Sequence, residues 1–578
     1  MGRLILHTGI ALFVFMFVNI GSAQSDLNKI LLLQDMPPEE VLLKINDSIN
    51  LSGETLYYDV YCLNENSFSD ISKIGYVELI DTNRNVIFKH KLKLLKGRAE
   101  GSFFLPSSLK TGHYKLIGYT HWSLNATKNP YVQKDLYIIN PYLNAYDNNL
   151  KKAFETQDQF IELITISEEL ESEQKNSTNG IALLTSSNAY AKRQKVTLQI
   201  KNNNAGINYG SYTLSVKKKE AISVIHNTND CLVQKSNIAI HHLPDLRGEL
   251  ISGKVVNLKD SNPIDNTIVS LSIPGEDLNF ITAVTNKEGR FYFNLNDNFY
   301  TTEGYLQLEL EATEKYKIML DTISFDAYSE LEFYPLKINK NNRSWIEKRS
   351  INNQIESSYY NLKQDRIIKY PSKLPFYGKP DLVYVLDDYT RFKTVRETFV
   401  EVVQQAAIRD DGQGYTFLVY ENEIIDTRLF ANAKPLLLFN GVHCMDEKFV
   451  VEYDPSKIET INLVTGTYVD GSKFYNGIID IRLKASSDFV FNTTNALKLN
   501  LKPLKRPKLY YDHTEDSSTT NIPDFRTLLL WKPNFTLASS LTEIVFYTSS
   551  VAGFYEVKLE GFTDQKKKIY LNAIFEVK

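Results

Sequence analysis

The sequence predicts a mainly β chain of several sandwiches with one α+β unit, and three observations predict it. Tyr and Phe are abundant, at 35 and 31 residues, against only 18 Pro, and aromatic residues fit the half-buried pleated surface of a strand. Short alternations of apolar and polar residues recur through most of the chain, the period of strands rather than helices. At 578 residues the chain is too long for one core, and at ~100 to 200 residues per domain it divides into roughly three to five units.

The first residues read as a secretory signal peptide over 1–23. Arg3 is the only early charge, Ile10 to Ile20 is apolar except for Asn19, and Gly21-Ser22-Ala23 precedes Gln24. The run is shorter than the ~20 apolar residues that span a bilayer, and no Cys near the cleavage point offers a lipid anchor. No later stretch has spanning length, so no transmembrane segment is expected after cleavage.

Lys plus Arg total 65 and Asp plus Glu 69, a net charge of -4, which gives no reason to expect nucleic acid as a partner. The Lys runs 217–219 and 566–568 read as solvated edge protection of strands. Cys62, Cys231 and Cys444 are too few and too far apart for a disulfide framework and read as buried thiols.

Residues 24–140 form the first expected sandwich. Leu56-Tyr58-Val60 and Tyr76-Glu78-Ile80 alternate around the turn residues Asp81-Thr82-Asn83, and Tyr114, Leu116 and Gly118 share a face of the strand that ends in Tyr119-Thr120-His121-Trp122. Gly53 before an alternating strand, the strand 76–80, Gly101-Ser102-Phe103-Phe104-Leu105-Pro106 and Thr111-Gly112-His113-Tyr114 together resemble the macroglobulin MG2-type domain of large exported proteins in Bacteroidota-type bacteria. The Cys-Gly-Glu-Gln thioester of protease-trapping macroglobulins is absent, so the resemblance does not imply protease trapping.

The acidic stretch within 141–180 reads as a linker with some helical character, and Leu183, Tyr190, Val196, Leu198, Ile200 and 212–216 mark a second small β-domain over 181–245. In 246–335, Gly289 sits at a turn that disfavours side chains and the next strand puts Phe291 and Phe293 on one face. The series Ile251-Ser252-Gly253-Lys254-Val255, Pro263-Ile264, 269–273 and 285–293 resembles the carboxypeptidase-regulatory-like domain, which implies a transthyretin-like sandwich without peptidase chemistry.

After a connector over 336–381, Thr394 and Glu397 have capping-box spacing, and Val395, Phe399 and Val403 recur at helical intervals. An aliphatic strand at 435–439 runs into a tight turn at Asn440-Gly441, followed by Asp454-Pro455, Ile458-Glu459-Thr460-Ile461 and Gly477-Ile478-Ile479-Asp480-Ile481. Over 382–490 this order resembles the plug domain of TonB-dependent outer-membrane transporters, with Asn440 where that family usually has Asp. A barrel of ~22 strands at ~9 to 11 residues each needs at least ~200 residues, so a plug-like domain without its own barrel is expected. A connector over 491–522 and a C-terminal immunoglobulin-like β-domain over 523–578 complete the expected architecture: tandem immunoglobulin-like and macroglobulin-like sandwiches with one α+β plug-like domain.

The chain carries no Gly-x-Ser-x-Gly, His-Glu-x-x-His or Walker-type phosphate loop. Adjacent His241 and His242 would face apart on a strand and do not chelate one ion, Asp387-Asp388 and Asp410-Asp411 read as turn or capping residues, and Lys287 argues against calcium beside Glu288. No catalytic, cofactor-binding or metal-binding residue is expected, and no cofactor. The candidate partner contacts are the aromatic clusters Tyr119, His121 and Trp122 and Tyr510 and Tyr511, because Tyr and Trp give large contact area at small entropic cost. The functional expectation is a non-enzymatic accessory protein, periplasmic or outer-membrane associated, that docks to an outer-membrane β-barrel protein or complex. A surface adhesin or glycan-binding protein is the alternative, and an envelope hydrolase with a site assembled from distant loops the second.

Overall fold

A computed structural model describes residues 36–578 apart from 65–66, 127–129, 144–159, 166–174, 204–209, 228–240, 276–277, 296–301, 311–314, 322–325, 369–373, 413, 421–432, 472, 488–495, 512, 514–520 and 538. The signal-peptide segment and Cys231 lie outside the described residues. The fold is mainly β, in small sheets that pair face to face.

The first sandwich packs a three-stranded sheet (Glu40–Ile45, Thr55–Leu63, Arg98–Phe104) on a five-stranded one (Ile49–Leu51, Val132–Ile139, Gly112–Tyr119, Ile74–Ile80, Val86–Lys93). Leu56, Tyr58 and Val60 point into its core with Val77, Leu79, Tyr114 and Leu116, as the alternation predicts. The strand Ile74–Ile80 departs from the pattern of a half-solvated sheet, because all seven residues are buried. Its other face carries Tyr76 and Ile80, which pack with Ile117 and Tyr119 against Leu331.

The second sandwich corrects the expected domain division. The sheet Ser177–Thr178, Ile181–Thr185, Lys195–Asn202 is completed by Leu541–Tyr547, and Ser211–Lys218 sits between Leu528–Phe535 and Gly553–Phe562, with Lys568–Val577 and Ala189–Tyr190 beyond. The stretches 181–245 and 523–578, expected as two domains, are therefore two parts of one sandwich with one core, in which Leu198 and Leu214 meet Val557 and Phe575. Neither part buries both faces of its strands alone, which is the physical reason they combine.

The third sandwich is closed from a distance in the same way. Glu249–Asn257 pairs with Arg290–Leu295 and Tyr316–Leu320, facing a sheet of Asn279–Val284, Ile268–Ile273, Glu303–Leu308 and Ala496–Asn500. Gly289 adopts φ +73°, where an added Cβ would lie 2.6 Å from the Val255 carbonyl, and Phe291 and Phe293 are both fully buried in the core. The last strand comes from the expected connector 491–522, and Leu499 and Leu501 enter the same core.

Two other connectors also carry structure. Within the expected linker, Phe160–Thr165 is a strand rather than a helical stretch, paired with Ile222–Asn227 and Leu336–Ile338. Ile161 and Leu163 are its buried alternate positions, a period-two signal outweighed by the acidic surroundings. The connector 336–381 holds a sixteen-residue helix, Arg343–Ser358.

The α+β unit, inside the 382–490 region, has a five-stranded sheet ordered Leu382–Val385, Ile458–Asp470, Lys473–Leu483, Leu436–Phe439, Val442–His443. One face (Leu437, Phe439, Ile461, Leu463, Ile479, Ile481) is covered by the helices Val395–Glu401 and Glu447–Val451 and by the hairpin Ala406–Asp410 with Tyr415–Val419. The capping box forms as read: Glu397 N–H donates to Thr394 Oγ1 at 3.1 Å, and the Glu397 carboxylate accepts from the Thr394 N–H. Asn440 and Gly441 both take positive φ in the tight turn, at +49° and +84°.

Chain order therefore produces nesting. The α+β unit is inserted into the third sandwich, and the third sandwich into the second. The short pair Arg366–Ile367 and Lys508–Leu509 ties the chain entering the α+β unit to the chain leaving the third sandwich.

Candidate functional site

A concavity lies where the first sandwich, the second sandwich and the helix Arg343–Ser358 meet. It is a cleft of about 390 Å³ lined by Asp47, Asp135, Tyr137, Lys217, Lys218, Glu220, Trp345 and Arg349, among others. Arg349 sits on the inner face of the helix at 7% exposure. Its Nε donates to Glu54 Oε1 at 2.7 Å, and its Nη2 donates to Glu54 Oε2 at 2.9 Å, to Asp47 Oδ2 at 3.2 Å and to the Ile49 carbonyl at 3.1 Å. Trp345, one turn earlier, lies under the guanidinium at 5.3 Å and donates its indole N–H to Glu220 Oε2 at 2.8 Å.

The charges around this point balance. Lys217 pairs with Asp47 at 2.8 Å and Lys218 with Glu220 at 3.3 Å, so Arg349, Lys217 and Lys218 face Asp47, Glu54 and Glu220. Burial alone would raise Asp47, but Lys217 and Arg349 outweigh it and hold the carboxyl below its ordinary value. Burial likewise opposes the Arg349 charge, and Glu54 and Asp47 more than restore it. These carboxylates are occupied by cations, so the arrangement clamps three units together and leaves none of them free as a general base. Lys217, read as a solvated edge residue, is thus a joint residue.

Two further polar joints hold the first sandwich. Toward the segment that follows the third sandwich's strand Tyr316–Leu320, the fully buried Glu78 accepts from Tyr119 at 2.5 Å and from Tyr328, and pairs with Lys89 at 2.8 Å. Toward the second, Thr213 Oγ1 donates to Asp59 Oδ2 at 2.7 Å and lies 2.8 Å from Tyr61 Oη, while Lys44 reaches Glu560 at 2.6 Å.

Of the predicted partner contacts, Tyr119 falls inside one of these joints, and the others are held by contacts elsewhere. Tyr119, His121 and Trp122 are all buried: Tyr119 is bound to Glu78, His121 Nδ1 lies 3.0 Å from Asp245 Oδ2, and Trp122 donates to the Pro37 carbonyl at 2.9 Å. That is a correction to their reading as an exposed cluster, and its cause is that Tyr328 and Leu331 cover the sheet face at Tyr119 while Asp245 and Pro37 hold the turn that follows. Tyr510 and Tyr511 are half-buried; Tyr510 meets Tyr57 edge-on at 5.3 Å, and the Tyr511 N–H donates to Asp365 at 3.1 Å. Sequence reasoning missed Arg349, Trp345 and Glu220, since an Arg in a polar helix carries no pattern that distinguishes a buried clamp from a solvated charge.

The remaining candidates have structural roles. Asn125 accepts from both the His241 and His242 N–H groups, at 2.9 and 3.0 Å. Asp410 and Asp411 accept turn amides of Gly412 and Gly414, and Asp387 pairs with Arg391 and Lys484. Cys62 and Cys444 are buried free thiols; burial pushes the Cys444 thiol up to about 12 and the Cys62 thiol higher still. Among the described residues no three His, Cys, Asp or Glu side chains group to hold a metal, and no helix is long and apolar enough to cross a membrane.

The fold and joints define a class: a mainly β chain of nested sandwiches locked by buried ion pairs and carrying one α+β unit. No protein-family model matches the chain, and no curated protein does. Among solved structures it is similar to Salmonella α2-macroglobulin reacted with methylamine (8% identity, 94% of this chain and 24% of that one, TM-score 0.15). It is similar also to trypsin-activated Escherichia coli α2-macroglobulin (9%, 93% and 23%, TM-score 0.16) and to the elastase-activated E. coli protein (8%, 93% and 43%, TM-score 0.22). The chain spans about a quarter of the length of the first two. With TM-scores this low, the fold rests on the strand pairings themselves.

Proposed function

We propose that the protein is a non-enzymatic scaffold of the cell envelope, periplasmic or outer-membrane associated, that docks to an outer-membrane transport, secretion or assembly complex through its α+β unit. The reading is carried by the plug-like motif order within 382–490, set in an insertion whose flanking chain returns to close sandwiches: after residue 484 the strands Ala496–Asn500 and Leu528–Phe535 onward complete the third and second sandwiches. The macroglobulin-like and carboxypeptidase-regulatory-like resemblances of the sandwiches support a spacer role for the rest of the chain. The clamp at Arg349 fits that role, because a spacer transmits position only if its joints hold.

The test is affinity capture of the chromosomally tagged protein from gently solubilised envelopes, with mass spectrometry, for the intact chain and for one in which a Gly-Ser linker replaces residues 382–483. A β-barrel protein recovered near stoichiometry with the intact chain and lost with the deletion is the expected result. Recovery of the intact chain alone would sink the proposal and favour surface or glycan binding.

A further inference from the structure

In the second sandwich, Val557, Leu559, Leu571 and Ala573 point into the core, so Glu556, Lys558 and Asn572 share the opposite face of their sheet. Lys558 and Asn572 are direct register partners in the antiparallel pair Gly553–Phe562 and Lys568–Val577. Among the described strand pairs no other Lys stands opposite an Asn. The Asn572 N–H donates away from Lys558, to the Lys175 carbonyl at 2.9 Å. Lys558 and Asn572 are therefore a non-hydrogen-bonded pair, the closer of the two antiparallel geometries, with Cα atoms about 4.5 Å apart.

Glu556 touches both of them. Its Oε1 accepts from Asn572 Nδ2 at 3.3 Å, and its Oε2 pairs with Lys558 Nζ at 3.1 Å. The Asn572 amide is held from its other side as well, because its Oδ1 accepts from the Lys175 N–H at 2.8 Å. Asn572 is 3% exposed, and Glu556 opens onto the cleft beside Lys217 and Trp345. An amine thus stands opposite an amide carbon, a carboxylate bridges the two nitrogens, and a backbone donor points at the oxygen on which negative charge develops when that carbon is attacked. Burial opposes the Lys558 charge, but Glu556, Tyr570 and Glu560 more than restore it, so the amine stays an ammonium until a base removes its proton. Glu556 is the base in contact.

We propose that Lys558 and Asn572 become joined by an isopeptide bond that the folded chain forms by itself, with Glu556 carrying the protons. Glu556 takes a proton from the Lys558 ammonium, and the freed Nζ lone pair attacks Asn572 Cγ. The oxygen of the tetrahedral adduct is held by the Lys175 N–H. The Cγ–Nδ2 bond then breaks, two protons having passed from Nζ to Nδ2 by way of Glu556, and the nitrogen departs as ammonium toward the cleft. One C–N bond forms and one breaks, with no other reactant. Holding the two groups as cross-strand neighbours supplies the high effective concentration that such an exchange needs. The bond fastens Lys568–Val577, whose outer neighbour is only the two-residue strand Ala189–Tyr190, to the strand inside it.

Mass spectrometry of the purified intact protein tests this. Measured beside Lys558→Arg, which cannot link and shares every other step of maturation, the wild-type chain is expected to lie about 17 Da below the mass its sequence gives, the loss of one ammonia. Its tryptic digest should contain one branched peptide joining Lys558 to Asn572. Glu556→Gln is expected to remain unlinked, because the isosteric amide cannot take the proton. A wild-type mass equal to that of the sequence, or one raised by about 1 Da through hydrolysis of Asn572 to Asp, overturns the bond. Linkage to the wild-type extent in Glu556→Gln overturns the role of the carboxylate. The wild-type digest decides the bond by itself, whether or not either variant folds.

Discussion

Arg349 concentrates the electrostatics of the molecule in one side chain. Its guanidinium meets two carboxylates of the first sandwich, so Arg349→Met leaves Glu54 buried without its forked partner and Asp47 with Lys217 alone, a loss of about 3 to 5 kcal/mol. Arg349→Lys is expected to recover less than half, because a single ammonium does not reproduce the forked contact. The sign with pH follows from Asp47, whose folded-state value is depressed. The stability it contributes is present above the ordinary aspartate value of 3.8 and is lost as the pH falls below it. Denaturant midpoints of wild type and Arg349→Met should therefore differ most at neutral pH and converge under acid; a gap that persists unchanged at pH 3 would contradict the ion-pair account. His443 gives a second pH signature. Burial lowers it from 6.5 to about 4, in a setting that also holds Glu309, Lys473 and Tyr475. The folded state stays neutral while the unfolded chain takes a proton, so stability is full above pH 6.5 and drains as the pH falls toward 4. His443→Gln should flatten the midpoint over that interval, and an unaltered slope would count against the assignment.

Among the elements, the informative ones are those supplied from far along the chain. Leu541–Tyr547 and the three other strands of 528–577 make four of the nine strands of the second sandwich. Truncation after residue 522 would leave Leu198 and Leu214 without Val557 and Phe575. Limited proteolysis of that truncated chain should cut within 177–218 while 436–483 stays protected, whereas an independently folded 181–245 would resist as well. The elements read correctly from sequence are those whose signals are local. The Thr394 and Glu397 capping box, the Gly289 turn and the Asn440-Gly441 turn each depend on a few neighbouring residues. The strand Phe160–Thr165 was lost to its acidic surroundings, and the aromatic triad Tyr119, His121 and Trp122 was misread because nothing local shows that a second unit covers its face.

At the scale of the molecule, nesting sets the order of assembly. The α+β sheet joins Ile458–Asp470 to Lys473–Leu483 across a tight turn, while the second sandwich must bring Lys195 beside Tyr547. Contacts so distant in sequence require a loop closed at entropic cost before they contribute. Pulse-labelled hydrogen exchange during refolding should therefore find 458–483 protected before 195–202, and simultaneous protection would show that the two units fold as one.

What the sequence by itself determined is the mainly β class and the local devices of turns and caps. It also marked most of the strands, because period-two alternation and left-handed glycine turns are properties of a few adjacent residues. Tertiary structure alone decided which strands share a sandwich, where Arg349 finds its carboxylates and which aromatic faces are covered. Those outcomes depend on pairings between residues hundreds of positions apart, and an alternating strand carries the same signal whether its outer face meets water or another unit.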